Sequence, residues 1–215
     1  MELCPESGVT FLVAGSVGKL EVMITRPKNV EKSVTGIICH PHPLYGGTMH
    51  NKIVTIIAKA FNQLGLKTVR FNFRGVGNSE GQYDNTIGET DDLKTIITWV
   101  RYNHPRDEIW LAGFSFGAYI SAKVANADHT IARLITIAPA VNHSDYASLT
   151  DIICPWWLII GREDELIPFV GVETFVHDSP VAIKFIPVEK ATHFFHGFLI
   201  KLREILILEL ALVCC

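Results

Sequence analysis

The chain has 215 residues, 48% of them hydrophobic and 19% charged, with a formal charge of −3. That length and balance predict one domain over residues 1–215, large enough to bury a substantial core. The small negative charge and the lack of any Lys/Arg cluster argue against a nucleic-acid partner, because phosphate binding needs concentrated basic side chains.

In chain order, residues 9–14 and 19–25 read as a hairpin joined by Gly15-Ser16-Val17-Gly18. A short apolar strand at 34–39 enters a Pro/Gly-rich loop at 40–48. Residues 50–64 carry Ile53, Ile56, Ile57, Ala60, Phe61 and Leu64 at helical spacing, and Gly65 stops the helix. Residues 67–73 predict a strand and 74–81 a glycine-rich loop. The cleanest amphipathic helix is 90–100, with Leu93, Ile96, Ile97 and Val100 inward and Thr90-Asp91-Asp92 at its positive end. Strands follow at 108–112, 134–137, 156–160 and 182–186, with a helix at 118–125 and another opened by Pro168. A last helix is expected from near Phe194 to the terminus. Strands alternating with helices imply a mostly parallel sheet covered on both faces, an α/β architecture. Fewer than about twenty residues separate the strands near Ile137 and Ile160, which leaves no room for a cap domain.

The five cysteines (Cys4, Cys39, Cys154, Cys214, Cys215) form no Cys-x-x-Cys pair, which predicts reduced thiols and a cytoplasmic location. Glu2 and Glu6 stand where a secretory leader would be basic. The apolar run 205–215 is about half a membrane-spanning length and carries Glu209, so it reads as a buried helix end rather than a span.

Gly113-Phe114-Ser115-Phe116-Gly117 lies between a predicted strand and a predicted helix. A serine hydroxyl is a poor nucleophile unless it is held clear of the backbone beside a base and near oxyanion donors. Glycines two before and two after the serine permit that tight turn. The backbone N–H of Phe116, at the start of the helix, is the first candidate oxyanion donor. A base belongs at the carboxyl end of a strand, and His193, just past the last strand, takes that place, with His196 the alternative. The acid belongs to Gly161-Arg-Glu-Asp-Glu-Leu-Ile-Pro168, where Glu163, Asp164 and Glu165 compete. His40-x-His42 has no third ligand at metal spacing, so neither metal nor cofactor is expected.

These features together resemble the α/β-hydrolase superfamily over nearly the whole chain, and most closely its small capless serine hydrolases. Four stretches carry the resemblance: His40-Pro-His-Pro-Leu-Tyr-Gly-Gly-Thr-Met-His-Asn-Lys52, Arg70-Phe-Asn-Phe-Arg-Gly-Val-Gly-Asn-Ser-Glu-Gly81, the serine turn, and Ala191-Thr-His-Phe-Phe-His-Gly197. Similarity to the dienelactone hydrolases is looser, since those carry cysteine at the position of Ser115. The resemblance implies an α/β-hydrolase fold with Ser115, Asp164 and His193 as a triad, in the family's chain order. It also implies a second oxyanion donor on His42; Leu44 and Tyr45 stay open, while Pro41 and Pro43 have no N–H. The activity implied is hydrolysis of a small ester or thioester through an acyl-enzyme. The alternatives are an amide hydrolase or peptidase on the same fold, or a binding protein that has lost turnover. A small-molecule substrate, no membrane span and a possible homodimer complete the expectation. Without a cap there is little apolar surface for a long acyl chain, so short acyl esters are expected.

Overall fold

The computed structural model describes residues 6–211. Among these residues eight strands form one sheet: β1 (Thr10–Ala14), β2 (Lys19–Thr25), β3 (Val34–Cys39), β4 (Lys67–Phe71), β5 (Glu108–Phe114), β6 (Ile131–Ile137), β7 (Trp156–Gly161) and β8 (Ile183–Val188). Their order across the sheet is β1-β2-β4-β3-β5-β6-β7-β8. The β1–β2 and β2–β4 pairs are antiparallel, and every later pair is parallel. Among the described residues five helices, α1 (Lys52–Gln63), α2 (Ile87–Asn103), α3 (Phe116–Ala127), α4 (Phe169–Asp178) and α5 (Leu199–Ala211), connect or flank the strands.

The central strands are buried on both faces, and their alternation sends successive side chains into two separate cores. Ile37, Leu111, Trp156 and Leu158 join the core under α2, α3 and α4. Their neighbours Ile38, Trp110, Ala112 and Trp157 join the core under α1 and α5. The adjacent tryptophans thus fill opposite faces of the sheet. Helix α5 joins the second core through Leu202, Leu206 and Leu210. Cys4, Cys214 and Cys215 lie outside the described residues. Among the described residues no helix is long and apolar enough to cross a membrane.

Several boundaries differ from the sequence reading for identifiable reasons. Helix α2 starts three residues earlier than expected, because Thr86 and Glu89 form a capping box. Asp92 is therefore not an acid of the first turn. It is buried and takes a bidentate set of bonds from Arg74, whose Nη2 lies 2.7 Å from Oδ1 and whose Nε lies 3.1 Å from both oxygens. The last helix begins at Leu199, so His196 sits in the exposed turn before it rather than on it. Strand β4 ends at Phe71, after which Asn72 leaves the sheet to make side-chain bonds.

Those bonds account for the residues 72–79. Asn72 accepts the Met49 N–H (2.8 Å) and donates to Glu21 Oε2 (2.7 Å). The Asn78 backbone and side-chain N–H groups also reach Glu21, and Ser79 Oγ bridges the Glu21 N–H and the Asn72 carbonyl. Burial alone would raise the Glu21 pKa, but the bonds from Asn78 and Asn72 outweigh it and hold the carboxylate below its usual range. This network and the Arg74–Asp92 pair fasten the loop after β4 beneath the strand ends.

The Arg74 and Asp92 side chains are only 6% and 1% exposed. Removing Asp92 would leave the buried Arg74 guanidinium with only the half-exposed Asp84 at 3.8 Å as its remaining ion-pair partner, and breaking a buried pair costs about 3–5 kcal/mol. Asp92→Ala is expected to lower the unfolding free energy in urea by that amount. A loss below about 1 kcal/mol would show that the loop does not depend on the pair.

Candidate active site

The site is built where the carboxyl ends of β3, β5, β6, β7 and β8 meet. Ser115 sits between β5 and α3 with φ 53° and ψ −115°, a conformation L-residues avoid. Two close approaches hold it there. A Cβ on Gly117 would lie 2.5 Å from the carbonyl oxygens of both Cys39 and His40, and one on Gly113 would lie 2.2 Å from the Gly117 oxygen. Only glycine fits at either position. The Ser115 N–H donates to the Ile137 carbonyl (2.9 Å), tying the turn to the end of β6.

His193 follows β8 and is 2% exposed. Its Nδ1 lies 2.9 Å from Asp164 Oδ2, within a side-chain pair that is almost completely buried. The other oxygen, Oδ1, accepts the backbone N–H groups of Leu166 (3.0 Å) and Ile167 (2.7 Å). Both carboxylate oxygens are thus committed, and the acid has one orientation. The chain turns after β7 to place Asp164, and the Glu163 N–H donates to the Ala191 carbonyl (3.0 Å), joining this turn to the His193 loop. Glu165 accepts the His193 backbone N–H on Oε2 (3.0 Å), a positioning contact that the sequence did not signal. Of the three acids at 163–165, Asp164 is the one on the imidazole. His193 also packs on Phe114 and Phe194, each at 5.0 Å between ring centroids.

The loop after β3 is ordered by its two histidines. His40 is fully buried; its Nδ1 donates to the Pro41 carbonyl (2.6 Å) and its Nε2 accepts the Phe73 N–H (3.0 Å). Both nitrogens are used, so the ring is a neutral strut between the β3 loop and the β4 loop. Burial pushes its pKa down to about 4. His42 is half-buried, and burial lowers its pKa too. Its Nδ1 accepts the Leu44 N–H (3.2 Å) and its carbonyl accepts the Tyr45 N–H (3.1 Å). Leu44 and Tyr45, left open by the sequence, therefore have their N–H groups engaged. Of the three amides at 42, 44 and 45, that of His42 donates to no group in the structure. The Phe116 N–H sits at the first position of α3, where helix geometry leaves amides without an intrahelical acceptor.

Ser115, Phe116, His42 and His193 line one cleft of about 430 Å³. Its other walls are Tyr45, Tyr83, Thr86, Ala140, His143, Ser144, Leu166 and Ile167. Sequence reasoning named Tyr45 only as an open oxyanion donor and missed the others, since they come from loops and follow no period. The connection between β6 and β7 carries only a single 3-10 turn, Tyr146–Ser148. His196 lies outside the cleft lining.

The sequence model described as serine aminopeptidase, S33, matches residues 36–152. A solved structure of an α/β serine hydrolase homologue from Coxiella burnetii is 56% identical, with 97% of this chain and 100% of that chain covered at a TM-score of 0.95. This chain belongs to the α/β serine hydrolases. Another member of these hydrolases, from Xanthomonas campestris and described as lacking a lid, is 39% identical over 98% of this chain and 96% of its own, with a TM-score of 0.91. An uncharacterised protein of Rickettsia prowazekii is 32% identical over 190 residues, covering 84% of this chain and 79% of its own. The hydrolase fold explains the element order, and the lidless relative matches the short β6–β7 connection.

The buried His40 gives a stability prediction. Its folded pKa of about 4 lies below the ordinary 6.5, so the unfolded state takes up the extra proton between those values. Stability from this site is complete above about pH 6.5 and falls as pH drops to about 4, by roughly 3 kcal/mol at most. Chemical unfolding across this window should show a steeper decline for the wild-type chain than for His40→Asn. Parallel profiles would mean that His40 does not carry this proton linkage.

Proposed function

We propose that the chain hydrolyses an uncharged carboxylic ester or thioester through an acyl-enzyme formed on Ser115. The observation that carries the reading is the buried 2.9 Å contact of His193 with Asp164 at the same cleft as the strained Ser115. In this reading the Asp164 carboxylate accepts a hydrogen bond from Nδ1–H, which keeps the proton on Nδ1 and leaves Nε2 free as the base. Ser115 Oγ adds to the carbonyl carbon while its proton passes to Nε2, and the N–H groups of Phe116 and His42 hold the oxyanion. Collapse expels the alcohol or thiol, which takes the proton from Nε2. Water then adds to the acyl-enzyme with the same base, releasing the acid and Ser115. Each step uses side chains and amides alone.

The cleft also favours an ester over a peptide amino terminus. None of the residues lining it is an Asp, Glu, Lys or Arg. An aminopeptidase must pair the substrate's ammonium with an acceptor of negative charge, because an unpaired ion is costly to desolvate. Among the described residues the cysteines are Cys39 and Cys154, both buried, and burial pushes their thiols up to about 12 and about 11, away from the nucleophilic thiolate.

A fluorophosphonate probe is expected to label the chain on Ser115, and Ser115→Ala should abolish both labelling and turnover of p-nitrophenyl acetate while remaining folded. His193→Ala should lower kcat by several orders of magnitude and His196→Ala by little. Asp164→Asn should cost on the order of 10³–10⁴-fold, far more than Glu163→Gln. Near-normal turnover in Ser115→Ala, or faster release of p-nitroaniline from aminoacyl anilides than of p-nitrophenol from the ester, would refute the reading.

A further inference from the structure

The sheet order divides the cleft into two chemically different halves. Strand β5, which leads directly into Ser115, has β3 and β4 on one side and β6, β7 and β8 on the other. The loops after β3 and β4 supply His42, Tyr45 and Tyr83, which form a continuous group of rings with Phe116 at the start of α3. His42 lies 4.7 Å from Tyr45, 5.0 Å from Tyr83 and 4.9 Å from Phe116 between centroids, and Tyr83 lies 6.0 Å from Phe116. On the far side, Leu166, Ile167 and His193 come from the loops after β7 and β8. Tyr45 is 86% exposed, so it is not a core residue that happens to border the cleft. An aromatic ring left in water at the edge of an apolar-lined cleft forgoes the burial that normally places such side chains.

We infer that these rings form the acyl-binding wall of the site and select an acyl group that ends in an aromatic ring. This rests on the ester-hydrolase reading given above. The direction follows from the protons. The leaving oxygen must lie within reach of His193 to be protonated, so the alcohol part occupies the β7–β8 half. The oxyanion is held at the foot of the ring wall by the amides of His42 and Phe116. The remaining substituent on the carbonyl carbon runs along Tyr83 and Tyr45. A flat aromatic group gains ring-on-ring contacts there that an alkyl chain of similar length cannot make. With no lid over the cleft, a compact ring also buries more of itself than an extended chain would.

The test uses esters in pairs, followed by acid release at constant pH so that no chromogenic ring is present. Ethyl 3-phenylpropanoate is compared with ethyl hexanoate for the acyl side, and 2-phenylethyl acetate with hexyl acetate for the alcohol side. The wild-type chain is expected to prefer the aromatic acyl ester by about five- to tenfold in kcat/KM, and to show less than a twofold preference on the alcohol side, in keeping with ring contacts of ordinary strength. Tyr83→Leu should bring the acyl-side ratio close to one, and Tyr83→Phe should keep it. Turnover of both acyl esters at equal rates, a ratio unchanged in Tyr83→Leu, or a preference on the alcohol side alone would overturn the inference while leaving the hydrolase reading intact. Turnover of none of the four esters, with no fluorophosphonate labelling, would remove the hydrolase reading and this inference with it.

Discussion

Everything at the site depends on how closely the start of α3 approaches the end of β3. Gly117 packs its backbone against the carbonyls of Cys39 and His40 at a distance that excludes any side chain. That contact sets the Phe116 amide beside the loop that carries the His42 amide, and it holds Ser115 in its strained conformation at positive φ. Holding a non-glycine residue there costs about 1–3 kcal/mol, and the surrounding sheet must supply it. The supply is visible in the two packed cores and in the bond from Ser115 N–H to β6.

The loops around this contact are fixed by polar groups rather than by packing alone. His40 spans the β3 and β4 loops with both ring nitrogens. The Glu21 network and the Arg74–Asp92 pair anchor the β4 loop from beneath. On the other side, Asp164 spends one oxygen on two amides of its own turn and presents the other to His193. Each half of the cleft is thereby held separately, and Ser115 stands between them. A lidless site needs this rigidity, because no closing element orders the loops when substrate arrives.

The sequence made the central sheet legible through its short apolar runs, and the serine turn through two glycines whose spacing has a steric reason. Asp164 was distinguishable from Glu163 and Glu165 only through family resemblance; in the structure it is the acid of the three that lies within hydrogen-bond distance of His193 Nδ1. Asp92 was misread as a helix-dipole acid because its partner Arg74 is eighteen residues away, a distance that periodicity cannot bridge. The start of the last helix was placed too early, since the aromatic residues from Phe194 to Phe198 fit an apolar face but form turns, with Phe195 at positive φ. The cleft walls Tyr83, His143 and Leu166 were invisible for a related reason. They come from loops whose direction is set by tertiary bonds, not by local pattern.

The most direct test of this account is the mass of the protein trapped during turnover. The chain would be mixed with p-nitrophenyl acetate, quenched in acid within the first turnovers, digested and mapped by mass spectrometry. The account predicts one acetyl group, carried by the peptide that contains Ser115 and absent from Ser115→Ala. An acetyl group that persists in Ser115→Ala, or one placed on another residue at full turnover, would contradict it.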